Sequence, residues 1–479
     1  MFATYWGKNR YNPYGFCTVI KSFSEVLMRR NAKLCFTLLC IILCISVLSG
    51  SALAAVPKRI LLIVMDGARY DYCTPETMPN LFSFMEKALI FSNAYAPSSW
   101  TLPSHASLFT GLYPQQHGAF KMPYHPETET NRDTKKRLEE PINLDTVALP
   151  QESLTIADIL HSAGYQTLGV FGNPCYGYSI FNLQKGFDTW LNPVEEKLKV
   201  TGMKRRGFYS FDYEVDGKFY TVIPNASEVA QNVSKLLKQA DFNKSIFLFI
   251  NFEDPIATRL YFPPDKRNEI YANYEQYLKN SMNNIDDTLM PILSLFQDGL
   301  IIVTSDHGQG DGKTFKCAEH ATSLFPEQTK IPLFVHNNLE HFRVDPAAPI
   351  DLTLIMDMVL KAAGLESRGK KKLFSADMHL AFSHLDPSPT APIGTKSLFG
   401  IFSEQALLLV DLRSGGLTKY CFKQKTMQKS VFELMVFDDE LSEKILPFMK
   451  LEKIFPATGK IQKLDEGNIE TLKGLGYIE

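Results

Sequence analysis

Three uninterrupted apolar runs, each closed by polar or acidic residues, limit what this chain can fold into more than any other feature. Ile60–Met65 (I-L-L-I-V-M) stops at Asp66-Gly67, Ser245–Asn251 is followed by Glu253-Asp254, and Gly299–Thr304 stops at Ser305-Asp306-His307-Gly308. Runs of this length without polar alternation are the pattern of strands buried on both faces of a parallel sheet. Helical apolar spacing lies between them, in Met78–Ala88, Leu154–Ala163 and Ile270–Phe296, and a further strand is predicted at Gln166–Gly172. Strands alternating with helices predict an α/β fold. Open α/β sheets bind their ligands at the carboxyl ends of the strands, where Asp66, Asp306 and His307 fall. A carboxylate beside a neutral imidazole is an oxygen/nitrogen donor pair suited to Zn²⁺ or Mn²⁺.

The stretch from Pro97 to Gly118 (P-S-S-W-T-L-P-S-H-A-S-L-F-T-G-L-Y-P-Q-Q-H-G) adds a nucleophile to these ligands. Trp100-Thr101-Leu102-Pro103 reads as a loop, and Ser104–Thr110 as a short helix ended by Gly111. That reading puts Thr101 just before a helix N-terminus, where unsatisfied N–H groups and the helix dipole favour an anion. A hydroxyl held there beside a metal can be ionised and attack phosphorus or sulfur.

Thr101-Leu102-Pro103-Ser104-His105 resembles the active-site segment of the alkaline phosphatase and sulfatase superfamily, whose sulfatases carry C/S-x-P-S-R and oxidise the Cys or Ser to formylglycine. Asp66 matches the first metal ligand of that family. The run from His320 to Val335 (H-A-T-S-L-F-P-E-Q-T-K-I-P-L-F-V) is similar to the family's H-G-x-x-L-Y-x-E-x-x-R-V-P, and the resemblance extends from about Arg59 to Glu479. It implies an alkaline-phosphatase-like α/β/α sandwich around a mixed, mainly parallel sheet. It also implies one divalent metal ion (Zn, Mn, Ca or Mg) held by Asp66, Thr101, Asp306 and His307, with Thr101 as nucleophile. His320, Lys313 and Asn173 are the expected substrate contacts, His320 having the second option of completing another metal site. Threonine cannot yield the sulfatase aldehyde, so the resemblance points to the phosphodiesterase, phosphoethanolamine-transferase and lipoteichoic-acid-synthase branches. A phosphoester substrate is therefore expected, lipid- and glycan-linked esters included. The chain departs from the family at Gly67 (a second Asp), at Asn173 (the Lys of Gly-Lys-Trp) and at Ile256 (the His of D-P-H). Two alternatives stay open: a sulfate-ester hydrolase, and a non-catalytic binding protein on the same fold.

The remaining organisation follows from composition. Residues 1–54 hold six Lys/Arg and one Glu, which leaves 44 basic against 51 acidic side chains in the rest and gives no reason to expect nucleic-acid binding. Met28–Lys33 is a short basic segment, Leu34–Leu48 an apolar run and Ala52-Leu53-Ala54 a small-residue cleavage pattern. The expected layout is an upstream extension at 1–27 with translation starting at Met28, and a signal peptide or signal anchor at 28–54. A catalytic domain at 55–370 and an antiparallel subdomain at 371–479 follow. The protein is expected to be exported, and membrane-attached only if the signal segment stays uncleaved. Residues 121–150 read as an exposed insertion and Lys204–Tyr220 as a β-ribbon or substrate lip. Short strands are predicted at Lys396–Phe402, Ala406–Leu412, Leu417–Phe422 and Val431–Asp438. Cys73, Cys175, Cys317 and Cys421 lie beyond the leader and allow three disulfide pairings. Edman sequencing of the exported protein should begin near Ala55; intact residues 1–27 on a soluble cytoplasmic product would refute the leader.

Overall fold

The computed structural model describes residues 59–120, 148–174, 176–177, 179–196, 223–255, 267–311, 318–337 and 345–366, with strand segments between 204 and 221 and between 381 and 430. Seven strands form the central sheet: β1 (Arg59–Met65), β2 (Leu89–Ile90), β3 (Gln166–Phe171), β4 (Thr189–Leu191), β5 (Ile246–Phe252), β6 (Leu300–Thr304) and β7 (Leu333–His336). Their spatial order is β2-β7-β6-β1-β5-β3-β4. The five strands from β6 to β4 run parallel; at one edge β7 pairs antiparallel with β6, and β2 antiparallel with β7. The three apolar runs are thus adjacent central strands: Ile63 lies opposite Ile250 on one side and Val303 on the other.

Successive β1 side chains enter opposite layers, as the two-residue period of a strand requires. Among the described residues the helices longer than four residues are α1 (Pro79–Phe84), α2 (Thr101–Thr110), α3 (Ile156–Ser162), α4 (Ala226–Leu237), α5 (Arg267–Phe296) and α6 (Thr353–Ala362). Ile60, Leu62 and Val64 pack with α2, α3 and α6, whereas Leu61, Ile63 and Met65 pack with α1, α4 and α5. This is the expected α/β/α sandwich. Burying a Leu or Ile side chain contributes about 1.5–3 kcal/mol, and β1 places six wholly buried apolar side chains in the two layers.

Boundaries shift where local chemistry competes with apolar spacing. Helix α2 starts at Thr101, three residues before the predicted start, because Pro103 fits in a first turn that needs no intrahelical donor from it. Its end is as predicted, with Gly111 left-handed at φ 65°. Thr155 caps α3, in a reciprocal pair with Asp158. The segment that follows α1 divides into Leu89–Ile90 in the central sheet and Ala94–Tyr95 in a separate three-stranded sheet. The expected ribbon is present as three antiparallel pieces, Lys204–Arg205, Asp212–Val215 and Lys218–Thr221.

The antiparallel C-terminal sheet is a five-stranded meander: Ala381–Leu385, Leu398–Phe402, Ala406–Asp411, Leu417–Lys423 and Thr426–Ser430. The first and last of these were not anticipated; Val431–Asp438 lies outside the described residues, as do residues 121–147 of the expected insertion and the whole of the expected leader. Phe402 stacks on Tyr95 with ring centroids 4.1 Å apart, seating the meander on the main core. Pro57–Glu479 forms one compact unit. Among the described residues no helix is long and apolar enough to cross a membrane.

The link between β5 and α4 holds a buried acid. Asp254 accepts a hydrogen bond from the Ala226 N–H at 3.0 Å, and burial pushes its carboxyl up to about 7. Between pH ~4 and ~7 the folded protein then keeps a proton that the unfolded chain has released, so this group makes stability fall as pH rises, by at most about 1.4 kcal/mol per pH unit. Asp254→Asn keeps the acceptor and removes the titration. Urea unfolding from pH 4 to 8 should show a flatter profile and a more stable protein at pH 8; an unchanged slope would count against the shift.

Candidate metal and ester site

Each ligand comes from the carboxyl end of a central strand. Asp66 follows β1 and is held there by its own N–H, which donates to the Phe252 carbonyl of β5 at 2.8 Å. Gly67 then turns the chain at φ 72°, a left-handed conformation that favours glycine, and its N–H donates to Asp306 Oδ1 at 3.1 Å. Asp306 and His307 follow β6, and the His307 N–H donates to the same Oδ1 at 2.9 Å. All three residues have no exposed surface.

Each carboxylate has one oxygen held by protein donors and another turned toward a common point. For Asp66, Oδ2 accepts from Asn173 Nδ2 at 3.2 Å and from Asn251 Nδ2 at 3.3 Å. Its Oδ1 lies 3.4 Å from Thr101 Oγ1 and 3.5 Å from His307 Nε2. For Asp306, Oδ1 takes the two backbone donors, while Oδ2 has no hydrogen-bond partner and lies 3.4 Å from His307 Nε2. His307 Nδ1 is 2.8 Å from the Gly308 carbonyl, an acceptor, so the ring proton sits on Nδ1 and the Nε2 lone pair faces the carboxylates.

Asp66 Oδ1, Asp306 Oδ2 and His307 Nε2 are therefore three electron-pair donors converging without a proton between them. Asp66, Asp306 and His307 present ligand atoms that all lie within 4.8 Å of one another. This donor set fits a divalent cation, and the orphaned Asp306 oxygen is the observation that shows it. Burial, with the Asp306 charge alongside, pushes Asp66 up to about 6. Burial acts in the same direction on Asp306, but His307, His105 and the Gly67 N–H outweigh it and hold that carboxyl down at about 2.

Thr101 completes the cluster. It is the first residue of α2, 2% exposed, with Oγ1 3.3 Å from His307 Nε2. Trp100 occupies the N-cap without a side-chain hydrogen bond, so no side chain competes for the first-turn N–H groups. Asn173 sits at the end of β3 and bridges two acids, donating to Asp66 and, at 3.2 Å, to Glu253 Oε1. His320 stacks on His307, with centroids 4.8 Å apart and planes 23° from parallel. Lys313 and Ile256 lie outside the described residues.

Three residues that the sequence reading did not assign to the site also line it. Glu253 and Asn251 belong to the end of β5, next to Asp66, and their position after a buried run was the available signal. His105 stands one helical turn after Thr101, with Nδ1 3.4 Å from Asp306 Oδ2 and no exposed surface. Burial lowers the His105 pKa, and the two carboxylates more than offset it, so the ring titrates above its ordinary value while no cation shares their charge.

A parallel α/β sandwich with buried acids, an imidazole and a hydroxyl at its strand ends defines a protein of the alkaline phosphatase superfamily. Within it the chain belongs to the sulfatase family, whose model (Sulfatase) matches residues 58–343. Bis(5'-adenosyl)-triphosphatase enpp4 of Xenopus laevis is 39% identical over 83 residues, 16% of this chain and 18% of that protein. Arylsulfatase A of Bos taurus is 31% identical over 130 residues, 26% of this chain and 22% of that one. The matched part thus spans less than a quarter of either relative. The fold is shared with phosphonate monoester hydrolase from Silicibacter pomeroyi, at a TM-score of 0.51 and 14% identity over 86% of this chain and 98% of that structure.

If Asp66, Asp306 and His307 hold one cation, Asp66→Ala and Asp306→Ala should each abolish stoichiometric metal binding, as measured by elemental analysis after dialysis. The double variant should lose little more, because ligands acting as a unit are not additive. Full occupancy in either single variant would rule the site out.

Proposed function

We propose that this protein is an exported, metal-dependent enzyme that cleaves or transfers a phosphoester through Thr101. The observation that carries the reading is the position of the Thr101 hydroxyl. It lies 3.3 Å from His307 Nε2 and 3.4 Å from Asp66 Oδ1, at the uncapped start of a buried helix. A divalent cation held by Asp66, Asp306 and His307 supplies Lewis acidity, lowering the hydroxyl pKa and offsetting charge on the transferred group. The donor set of two carboxylates, an imidazole and a hydroxyl suits Zn²⁺ or Mn²⁺ better than the all-oxygen preference of Ca²⁺ or Mg²⁺.

Thr101 Oγ1 attacks phosphorus, forming the P–O bond of a phosphothreonine as the ester P–O bond breaks and the alcohol leaves. Water or an acceptor alcohol then resolves that ester, which gives hydrolysis or transfer respectively. The first-turn N–H groups of α2 would accept the non-bridging oxygens. A relative named as a triphosphatase supports chemistry at phosphorus. The second reading is sulfate-ester hydrolysis by an unmodified hydroxyl, favoured by the family and by the arylsulfatase relative. A lipid- or glycan-linked ester is compatible with either.

Thr101→Ala should remove nearly all turnover of phosphodiester model substrates while the fold survives, since alanine is the best helix former. Thr101→Ser should keep part of the activity. Parallel assays on phosphate and sulfate esters with Zn²⁺, Mn²⁺, Ca²⁺ and Mg²⁺ separate the two readings. Mass spectrometry of quenched reactions should find phosphate on the Thr101 peptide. Undiminished rates in Thr101→Ala would exclude Thr101 as nucleophile, and an unmutated protein inert to every ester and metal would identify a binding protein.

A further inference from the structure

His105 is a buried imidazole in contact with the cluster, and it plays no part in the chemistry above. In the resembling sulfatase pattern its position holds arginine, a permanent cation with five donors. Here the ring is enclosed: Phe171, Phe109 and Phe249 approach at centroid distances of 5.0, 6.2 and 6.1 Å, and the residue has no exposed surface. Both ring nitrogens are engaged by protein groups. Nδ1 lies 3.0 Å from the Thr101 carbonyl and 3.4 Å from Asp306 Oδ2, and Nε2 lies 3.4 Å from Asn251 Nδ2.

These partners fix the tautomer. Asn251 Oδ1 accepts the Asn173 N–H at 3.0 Å, so the amide NH₂ is the end that faces Asp66 Oδ2 and His105 Nε2. One amide hydrogen goes to each, which makes His105 Nε2 an acceptor. Nδ1 meets only acceptors, a carbonyl and a carboxylate, so it carries the proton. The ring thus bonds the Thr101 carbonyl through Nδ1 and is joined through Asn251 to Asp66, while its Nδ1 edge lies beside Asp306 Oδ2, so that it touches both carboxylates' surroundings.

We propose that His105 is a positioning residue of the metal centre, donating its Nδ1 proton to the carbonyl of Thr101 while the same ring edge lies against Asp306 Oδ2. The ring is thereby wedged between one ligand carboxylate and the first turn of the helix that carries the nucleophile, and so sets how far apart they stand. Through Asn251 the same ring braces Asp66 from behind. The ring does not touch the substrate; it orients a group that does touch the cation, and such partners typically contribute 10–100-fold to metal affinity. The inference rests on the reading of the cluster as a metal centre.

The test uses the full chain and competition with a chromophoric chelator for Mn²⁺ and for Zn²⁺. His105→Phe keeps the aromatic packing and removes both polar edges; it should weaken affinity about 10–100-fold. His105→Asn presents an amide N–H close to where Nδ1 stood and should recover most of that loss. A purely structural role would instead lower the thermal midpoint of the metal-free protein in both variants and leave affinity unmoved. In the unmutated, metal-loaded protein, long-range ¹H–¹⁵N spectra of labelled histidine should show the proton on Nδ1 of His105. This readout decides the matter even if His105→Phe fails to fold. Affinity in His105→Phe within about twofold of the parent, or a proton on Nε2, would overturn the proposal. A parent that binds no divalent cation would refute the metal centre itself, a different failure from a parent that binds beside a His105→Phe that binds equally well.

Discussion

Two carboxylates and an imidazole lone pair lie in contact with one another, fully buried, and the rest of the site depends on how that arrangement is held together. Two unit charges about 4 Å apart at an effective dielectric of ~20 repel by roughly 4 kcal/mol, a large share of the 5–15 kcal/mol that stabilises a typical domain. The protein moderates this repulsion from outside. Donors from Gly67, His307, Asn173 and Asn251 take the outer oxygen of each acid. The inner oxygens keep their negative charge for a cation. Removing any of these donors would let a carboxylate rotate away, and the geometry around Thr101 would go with it.

The sheet makes this possible because the parallel strands end together. Asp66, Asn173, Glu253 and Asp306 come from four separate stretches of chain, and neighbouring strands lie only about 4.8 Å apart. Side chains one or two residues past neighbouring strand ends therefore meet without any loop reaching across. The sandwich also keeps water out. Helix α2 lies in the layer over Ile60, Leu62 and Val64, every one of its residues is buried, and a hydroxyl at its first position is fixed by the packing of the other nine.

The departures from the sulfatase pattern that fall on described residues form a consistent set when placed in space. A second acid is replaced by Gly67, whose N–H donates to Asp306. A lysine is replaced by Asn173 and an arginine by His105, and both contact the remaining carboxylates. One negative group and two positive ones are exchanged for neutral hydrogen-bonding groups at the same places. Random loss would have left buried carboxylates without partners, at a cost of about 1–3 kcal/mol or more each. The outer oxygens of Asp66 and Asp306 are instead satisfied by hydrogen-bond donors, and the inner Asp306 oxygen is left unbonded.

The alternation of strands and helices, the two-faced burial of β1, β5 and β6, and the choice of Asp66, Thr101, Asp306 and His307 as candidate residues were legible in the sequence, whereas α4, β4 and β7 were not. Apolar periodicity reports local burial, and strand-end polarity reports where burial stops. What the sequence did not reveal was the environment of each group. His105 read as a departure from a motif, and only the packing of α2 against the sheet shows its ring bonded at both nitrogens. Asn251 and Glu253 read as the end of one more strand until β5 was placed beside β1. The first residue of α2 and the division of Leu89–Ala94 between two sheets were also decided by tertiary contacts. Periodicity is a property of neighbours along the chain. A contact between Asp306 and a residue about two hundred positions away depends on sheet order and register, which no short window of sequence contains.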